Sequence, residues 1–168
     1  MFLYVLSAPE WLGTHLQLAP TQFFWFFLSS IGGIMAGAAV SGRLAGRWPA
    51  RRQIRWGFAI MLGCSLVNVG LNATLAPHVA WALVPVSVFA FGWALMVPVV
   101  TLMVLDLAPD RRGMASSLQA CVGSVANGLV AGVVAPLVMH STLALALTSL
   151  ALMSVGLVAW ICLPRQPR

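Results

Sequence analysis

Gly42 to Trp56, GRLAGRWPARRQIRW, holds five of the nine basic residues of the chain: Arg43, Arg47, Arg51, Arg52 and Arg55. Long apolar runs lie on both sides, and Pro49 interrupts the stretch, so it reads as a short, stiff, cationic turn. Arginines clustered between hydrophobic spans mark the cytoplasmic side of a membrane, because positive loops are retained there during insertion. This turn orients whatever flanks it.

The flanks are built for lipid. Of 168 residues, 61% are hydrophobic and only 7% are charged. A soluble domain carries about 25% charged residues, so this chain has too few to cover a water-facing surface. No Asp, Glu, Lys or Arg occurs from Trp56 to Leu105, or from Gly113 to Pro164. Each of those runs accommodates two bilayer crossings at roughly 20 residues apiece. The expected class is an all-α polytopic membrane protein. A β-barrel would alternate polar and apolar residues, whereas these runs are apolar throughout.

The net charge is +6, without a single lysine. Because the arginines fall at expected helix ends, they read as topology signals and contacts for anionic headgroups, and no nucleic acid is expected. Cys64, Cys121 and Cys162 sit inside apolar spans with no short spacing between them. They read as buried small hydrophobes rather than as a disulfide or metal set. His15, His78 and His140 all fall in expected external loops, so nothing clusters for metal or nucleophilic catalysis. The expectation is no cofactor, no metal and no enzyme. Met1 opens directly onto apolar residues, without the basic region of a cleavable signal.

Taken in order, the chain divides into one short and five full spans: residues 1–12, 22–42, 56–76, 80–105, 114–139 and 143–163. The first is too short for a ~30 Å hydrocarbon core and reads as truncated, followed by an external loop. Glu10 lies near its end and is the one carboxylate not beside an arginine-rich turn. Acids at membrane depth are functional suspects, so Glu10 is a possible proton carrier, unless it reaches the outer interface. The second span opens with Phe23, Phe24, Trp25, Phe26 and Phe27, an aromatic set suited to the headgroup level. Ser29, Gly33, Gly37 and Ser41 then recur every four residues, a small-residue seam along which another helix packs closely.

On the third span Asn68 and Asn72 share a stripe, and inter-helix hydrogen bonding is their default role, with substrate contact as the alternative. The fourth span carries Pro85 and Pro98, each removing a backbone donor, with Phe89, Trp93 and Met96 near one face. It reads either as a mobile, cavity-lining helix or as an ordinary packed one. On the fifth, Ser116, Ala120, Ser124, Gly128, Gly132 and Pro136 recur every four residues, beside Gln119 and Asn127. Four residues turn about 400°, so this seam drifts by roughly 40° per step and wraps around its neighbours. The sixth span is nearly featureless and reads as lipid-facing. The turn DLAPDRRG, Asp106 to Gly113, and the end with Arg165 and Arg168 carry arginine like the first turn, whereas the intervening turns lack it. Asp106 and Asp110 could pair with arginines of either turn, Arg43, Arg47, Arg51 and Arg52 on one, Arg111 and Arg112 on the other. That would make a charge latch.

One partial and five complete spans with these turns resemble the C-terminal six-helix half of a major facilitator superfamily transporter. GRLAGRWPARR resembles the basic loop between the family's helices eight and nine, with Gly46 where the G-x-L-A-D-R-x-G-R-[RK] pattern has an acid. YVLSAP, PTQFFWFF, GWALMVPVVTLMVLD and GMASSLQACVGSVANGLVAG are similar to the Bcr/CflA branch of proton-coupled multidrug exporters. The resemblance implies alternating access between two six-helix bundles, with these spans as helices seven to twelve. It makes Tyr4, Phe89, Trp93, Gln119 and Asn127 candidate contacts for a hydrophobic or cationic small molecule. It also implies a bacterial inner-membrane location, arginine turns and C-terminus inside, and an N-terminal half as partner. The competing expectation is a truncated remnant that inserts in the bilayer but does not transport without that half.

Overall fold

The computed structural model describes residues 2–10, 12–13, 19–74 and 79–162, which contain helices and no strand. His15, the Pro77–His78 turn, Arg165 and Arg168 lie outside the described residues. Two short helices, α1 (Phe2–Leu6) and α2 (Ala8–Glu10), open the chain. Then follow α3 (Phe24–Leu44), α4 (Ala50–Thr74) and α5 (Val79–Asp106). Next, α6 (Arg112–Leu129) runs through a π-helical turn at Val130–Val134 into α7 (Ala135–Val138), and α8 (Thr142–Cys162) closes the described chain. Five stretches are long and apolar enough to cross a membrane: Phe24–Leu44, Ala50–Thr74, Leu83–Asp106, Pro109–Val138 and Thr142–Cys162. This is an integral membrane protein.

The basic turn is made by its own backbone. Helix α3 stops where Ala45 N–H donates to the Ser41 carbonyl at 3.0 Å, and Gly46 follows at φ +75°. That left-handed conformation costs a side-chain-bearing residue roughly 1 kcal/mol and costs glycine nothing. The acid of the resembled loop pattern is thus replaced by the residue that the turn geometry favours. The Pro49 carbonyl then accepts the N–H groups of Arg52 at 2.9 Å and Gln53 at 3.2 Å, which starts α4 at Ala50 rather than at Trp56. Arginine is a good helix former with a long, apolar stem. Its charge marks the membrane edge, not the helix end.

Two further expectations change. The fifth span is one stretch of 114–139 in sequence, yet its helix widens to a π-turn before Pro136. Proline offers no N–H and crowds the carbonyl of the preceding turn, and a π-turn absorbs that misfit. Cys121 and Cys162 are exposed and Cys64 is half-buried, so they are not a buried set. Cys64 donates its S–H to the Pro85 carbonyl on α5.

Register shows the topology. Gly33 meets Ser87 and Gly37 meets Phe91, so α3 and α5 run parallel. Gly57 meets Met96 while Cys64 meets Pro85, so α4 runs antiparallel to α5. Phe58 meets Gly156 and Arg51 lies over Trp160, so α8 runs antiparallel to α4. These registers bring the turns at 43–55 and 106–112 to one end of the bundle. The core has two parts. Ile54, Phe58, Met61 and Met153 fill the arginine-bearing end, and Leu3, Tyr4, Phe26, Val86 and Leu145 fill the other.

Small residues are used unevenly. A Cβ on Gly33 would overlap the Ser87 carbonyl, and one on Gly37 the Phe91 carbonyl, so α3 touches α5 backbone to backbone. Gly128 and Gly132 recur at the same spacing, but a Cβ on either meets nothing within 4 Å. In the most apolar 18 residues of the Pro109–Val138 span only 6% are buried, against 33% for those of Ala50–Thr74. Within this bundle the α6 glycines are not a packing seam. They face outward.

Candidate functional site

Between α1, α3, α5, α6 and α8 lies an open cavity of about 550 Å³. That is within the ~300–1,000 Å³ typical of small-molecule pockets. Phe89 and Trp93 reach it from α5, one turn apart on the face expected to line a cavity. Asn127 comes from α6, Phe27, Ser30 and Ile31 from α3, and Ser149 and Met153 from α8. The fold thus gathers Phe89, Trp93 and Asn127 and leaves out Tyr4 and Gln119.

Tyr4 is buried in the core at 5% exposure, and its Oη accepts a hydrogen bond from Asn68 Nδ2 at 2.6 Å. Asn72 Nδ2 in turn donates to the Asn68 carbonyl at 2.8 Å and to Asn68 Oδ1 at 3.0 Å. This network joins α1 to α4, and the asparagines serve each other and Tyr4. Gln119 Nε2 donates to Thr101 Oγ1 at 3.1 Å, so it ties α6 to α5 outside the cavity. Both corrections have one cause: a polar group in lipid takes the nearest partner before it can serve a ligand.

The cavity has almost no charge chemistry. None of its lining side chains is ionisable, and its walls are mainly apolar and aromatic. Ser30 also borders the cavity, but it is only 2% exposed, and its buried Oγ has no hydrogen-bond partner among the described residues. The rings of Phe89 and Trp93 suit apolar surface or, through their π faces, an organic cation. Its lining residues include no His, Cys, Asp, Glu, Lys or Arg. Nor do His, Cys, Asp and Glu gather into a metal-binding group anywhere among the described residues.

Glu10 lies away from the cavity, 37% exposed, with its Oε1 4.0 Å from His140 Nδ1, an ion pair when the imidazole is protonated. At the arginine-bearing end Arg112 and Asp106 pair at 3.1 Å, both well exposed. Such pairs contribute roughly 0–1 kcal/mol. Among the described residues no ion pair joins the two arginine-bearing turns, so the latch between them does not form; Asp106 reaches only within its own turn. Arg52 instead stacks over Trp48 at 4.5 Å.

Gln53 and Ser30 escaped the sequence reading. Gln53 is 2% exposed and donates through Nε2 to Ser41 Oγ at 2.6 Å and to the Leu95 carbonyl at 2.9 Å. It joins α3, α4 and α5. The available signal was a neutral residue inside the arginine run, in step with Gly57, Met61, Ser65 and Asn68.

The family model described as Major Facilitator Superfamily matches residues 1–131. No individual curated protein and no solved structure matches the chain.

Proposed function

The chain belongs to the major facilitator superfamily of membrane transporters, and we propose that it is the C-terminal bundle of a proton-coupled multidrug exporter of the Bcr/CflA type. In this reading it sits in a bacterial inner membrane with its arginine-bearing end in the cytoplasm. A second, N-terminal six-helix bundle closes the open cavity, and the two bundles rock to expose it to either side in turn. Hydrophobic or cationic small molecules are the cargo.

The observation that carries the reading is the cavity itself: aromatic and aliphatic walls, a few hydroxyl and amide groups, and no fixed charge. Walls of that kind accept many apolar shapes and enforce little specificity. The outward-facing, weakly packed α6 supports the second bundle. Glu10 is the proposed proton carrier, its carboxylate placed beside His140.

The test is drug efflux from cells expressing this chain together with an N-terminal six-helix half. Restored resistance to lipophilic cations, lowered at least several-fold by Trp93→Ala, is the expected result. Full resistance in that variant, with Phe89→Ala equally silent, would remove the cavity from the transport path.

A further inference from the structure

A second concavity of about 520 Å³ lies between the start of α4 and the end of α8. Arg51 and Arg55 line its end nearest the basic turn, and Phe58, Ala59 and Leu62 continue its wall along α4, with Leu157 across from them on α8. Trp160 closes the rim, with the Arg51 guanidinium 5.7 Å from its ring centroid. We infer that this groove is a seat for one anionic phospholipid, with its phosphate on Arg51 and Arg55 and an acyl chain between α4 and α8.

Charge argues for an anion here. Arg51 and Arg52 occupy the first turn of α4, where exposed N–H groups already make the helix end positive and cations are unfavourable. No acidic residue stands in that turn to offset them. Among the described residues, no carboxylate lies within ion-pair distance of Arg51 or Arg55: Asp106 pairs with Arg112, Glu10 faces His140 and Asp110 forms no ion pair. The missing counter-charge therefore comes from outside the protein. Diffuse attraction of arginine to acidic headgroups needs no groove. Here the two guanidinium groups line one, and a tryptophan holds the headgroup level.

The groove also selects the source of the anion. A free phosphate would satisfy the arginines and leave the apolar walls empty. A phospholipid fills both from within the bilayer. The seat bridges α4 and α8, whose direct packing elsewhere rests on Phe58, Met153 and neighbouring apolar side chains. The lipid thereby becomes part of the bundle.

The full chain, purified in detergent, is exposed to phosphatidylglycerol or phosphatidylcholine of equal acyl length, and retained lipid is counted by native mass spectrometry. Phosphatidylglycerol is expected to be retained in preference by on the order of tenfold, from two arginines at the surface. Arg51→Gln with Arg55→Gln should reduce retention to the phosphatidylcholine level, while Arg111→Gln with Arg112→Gln leaves it intact. Ala59→Trp, which fills the groove and spares both arginines, should abolish retention of either lipid; it also serves if the arginine variant fails to fold. Equal retention of the two lipids would overturn the inference, as would equal losses from both arginine pairs. Inorganic phosphate that displaces the lipid or raises Tm as much as the lipid does would assign the arginines to a free anion instead. Transport assays do not enter these readouts, so the seat and the exporter reading fail independently.

Discussion

Gln53 on α4 donates a hydrogen bond to the backbone carbonyl of Leu95 on α5 at 2.9 Å, deep inside the arginine-bearing end. The same nitrogen reaches Ser41 Oγ on α3, so one amide joins the end of α3 and the start of α4 to the interior of α5. Helices in lipid gain little from burying apolar surface against one another, and interhelical hydrogen bonds contribute about 0.6 kcal/mol on average. Gln53 makes two such bonds from a side chain that is only 2% exposed.

Gln53→Ala should therefore lower bundle stability by roughly 1–3 kcal/mol, the cost of leaving buried partners unsatisfied. Gln53→Met keeps the volume and loses the bonds, and should fall between. Thermal unfolding in a single detergent measures both. A variant Tm equal to the parent would mean that the amide is idle.

Gly33 and Gly128 look alike in sequence, each set in a run of small residues spaced by four, yet only Gly33 touches another backbone. Gly33→Leu must push α3 off α5 and should destabilise by roughly 1–3 kcal/mol. Gly57→Leu should do the same at the crossing of α4 and α5, where a Cβ would stand 2.8 Å from Met96 Cβ. Gly128→Leu and Gly132→Leu should leave the stability of this bundle unchanged and weaken its association with an N-terminal half. Detergent melting paired with co-purification separates the two effects.

That pair shows what sequence could and could not tell. Run length is dictated by the bilayer, so the helical class and five membrane-length helices were readable without coordinates. Which face of a helix meets which neighbour is not dictated by hydrophobicity, because lipid and protein are equally apolar. Phe89 and Trp93 line the cavity, yet in sequence their helix read equally well as an ordinary packed one. Tyr4 could not be placed, because its hydroxyl is claimed by Asn68, far away along the chain. Gln53 was hidden by five arginines that decide charge and not packing.

The Tyr4–Asn68 bond gives a second test. Tyr4→Phe and Asn68→Ala, alone and together, form a double-mutant cycle, and the coupling should lie near 0.6 kcal/mol and below about 1.7 kcal/mol. Drug profile should not change in Tyr4→Phe, because the ring stays in the core and does not line the cavity. A narrowed profile at unchanged stability would return Tyr4 to the substrate path.

Glu10 is one of only three acidic residues in the chain and the only one outside the turn at 106–112. If it carries the proton, Glu10→Gln removes the exchangeable charge and keeps the shape. In vesicles containing both halves, uptake driven by a pH gradient should then fall by about 100-fold or more, the range by which a placed acid–base group contributes to proton transfer. Substrate exchange without a gradient should persist, since the cavity walls are untouched. Glu10→Asp should recover part of the driven rate. His140→Ala removes the neighbour at 4.0 Å and should leave a driven component. Gradient-driven uptake that survives Glu10→Gln at full rate would place the proton path elsewhere and leave the Glu10–His140 contact a structural one.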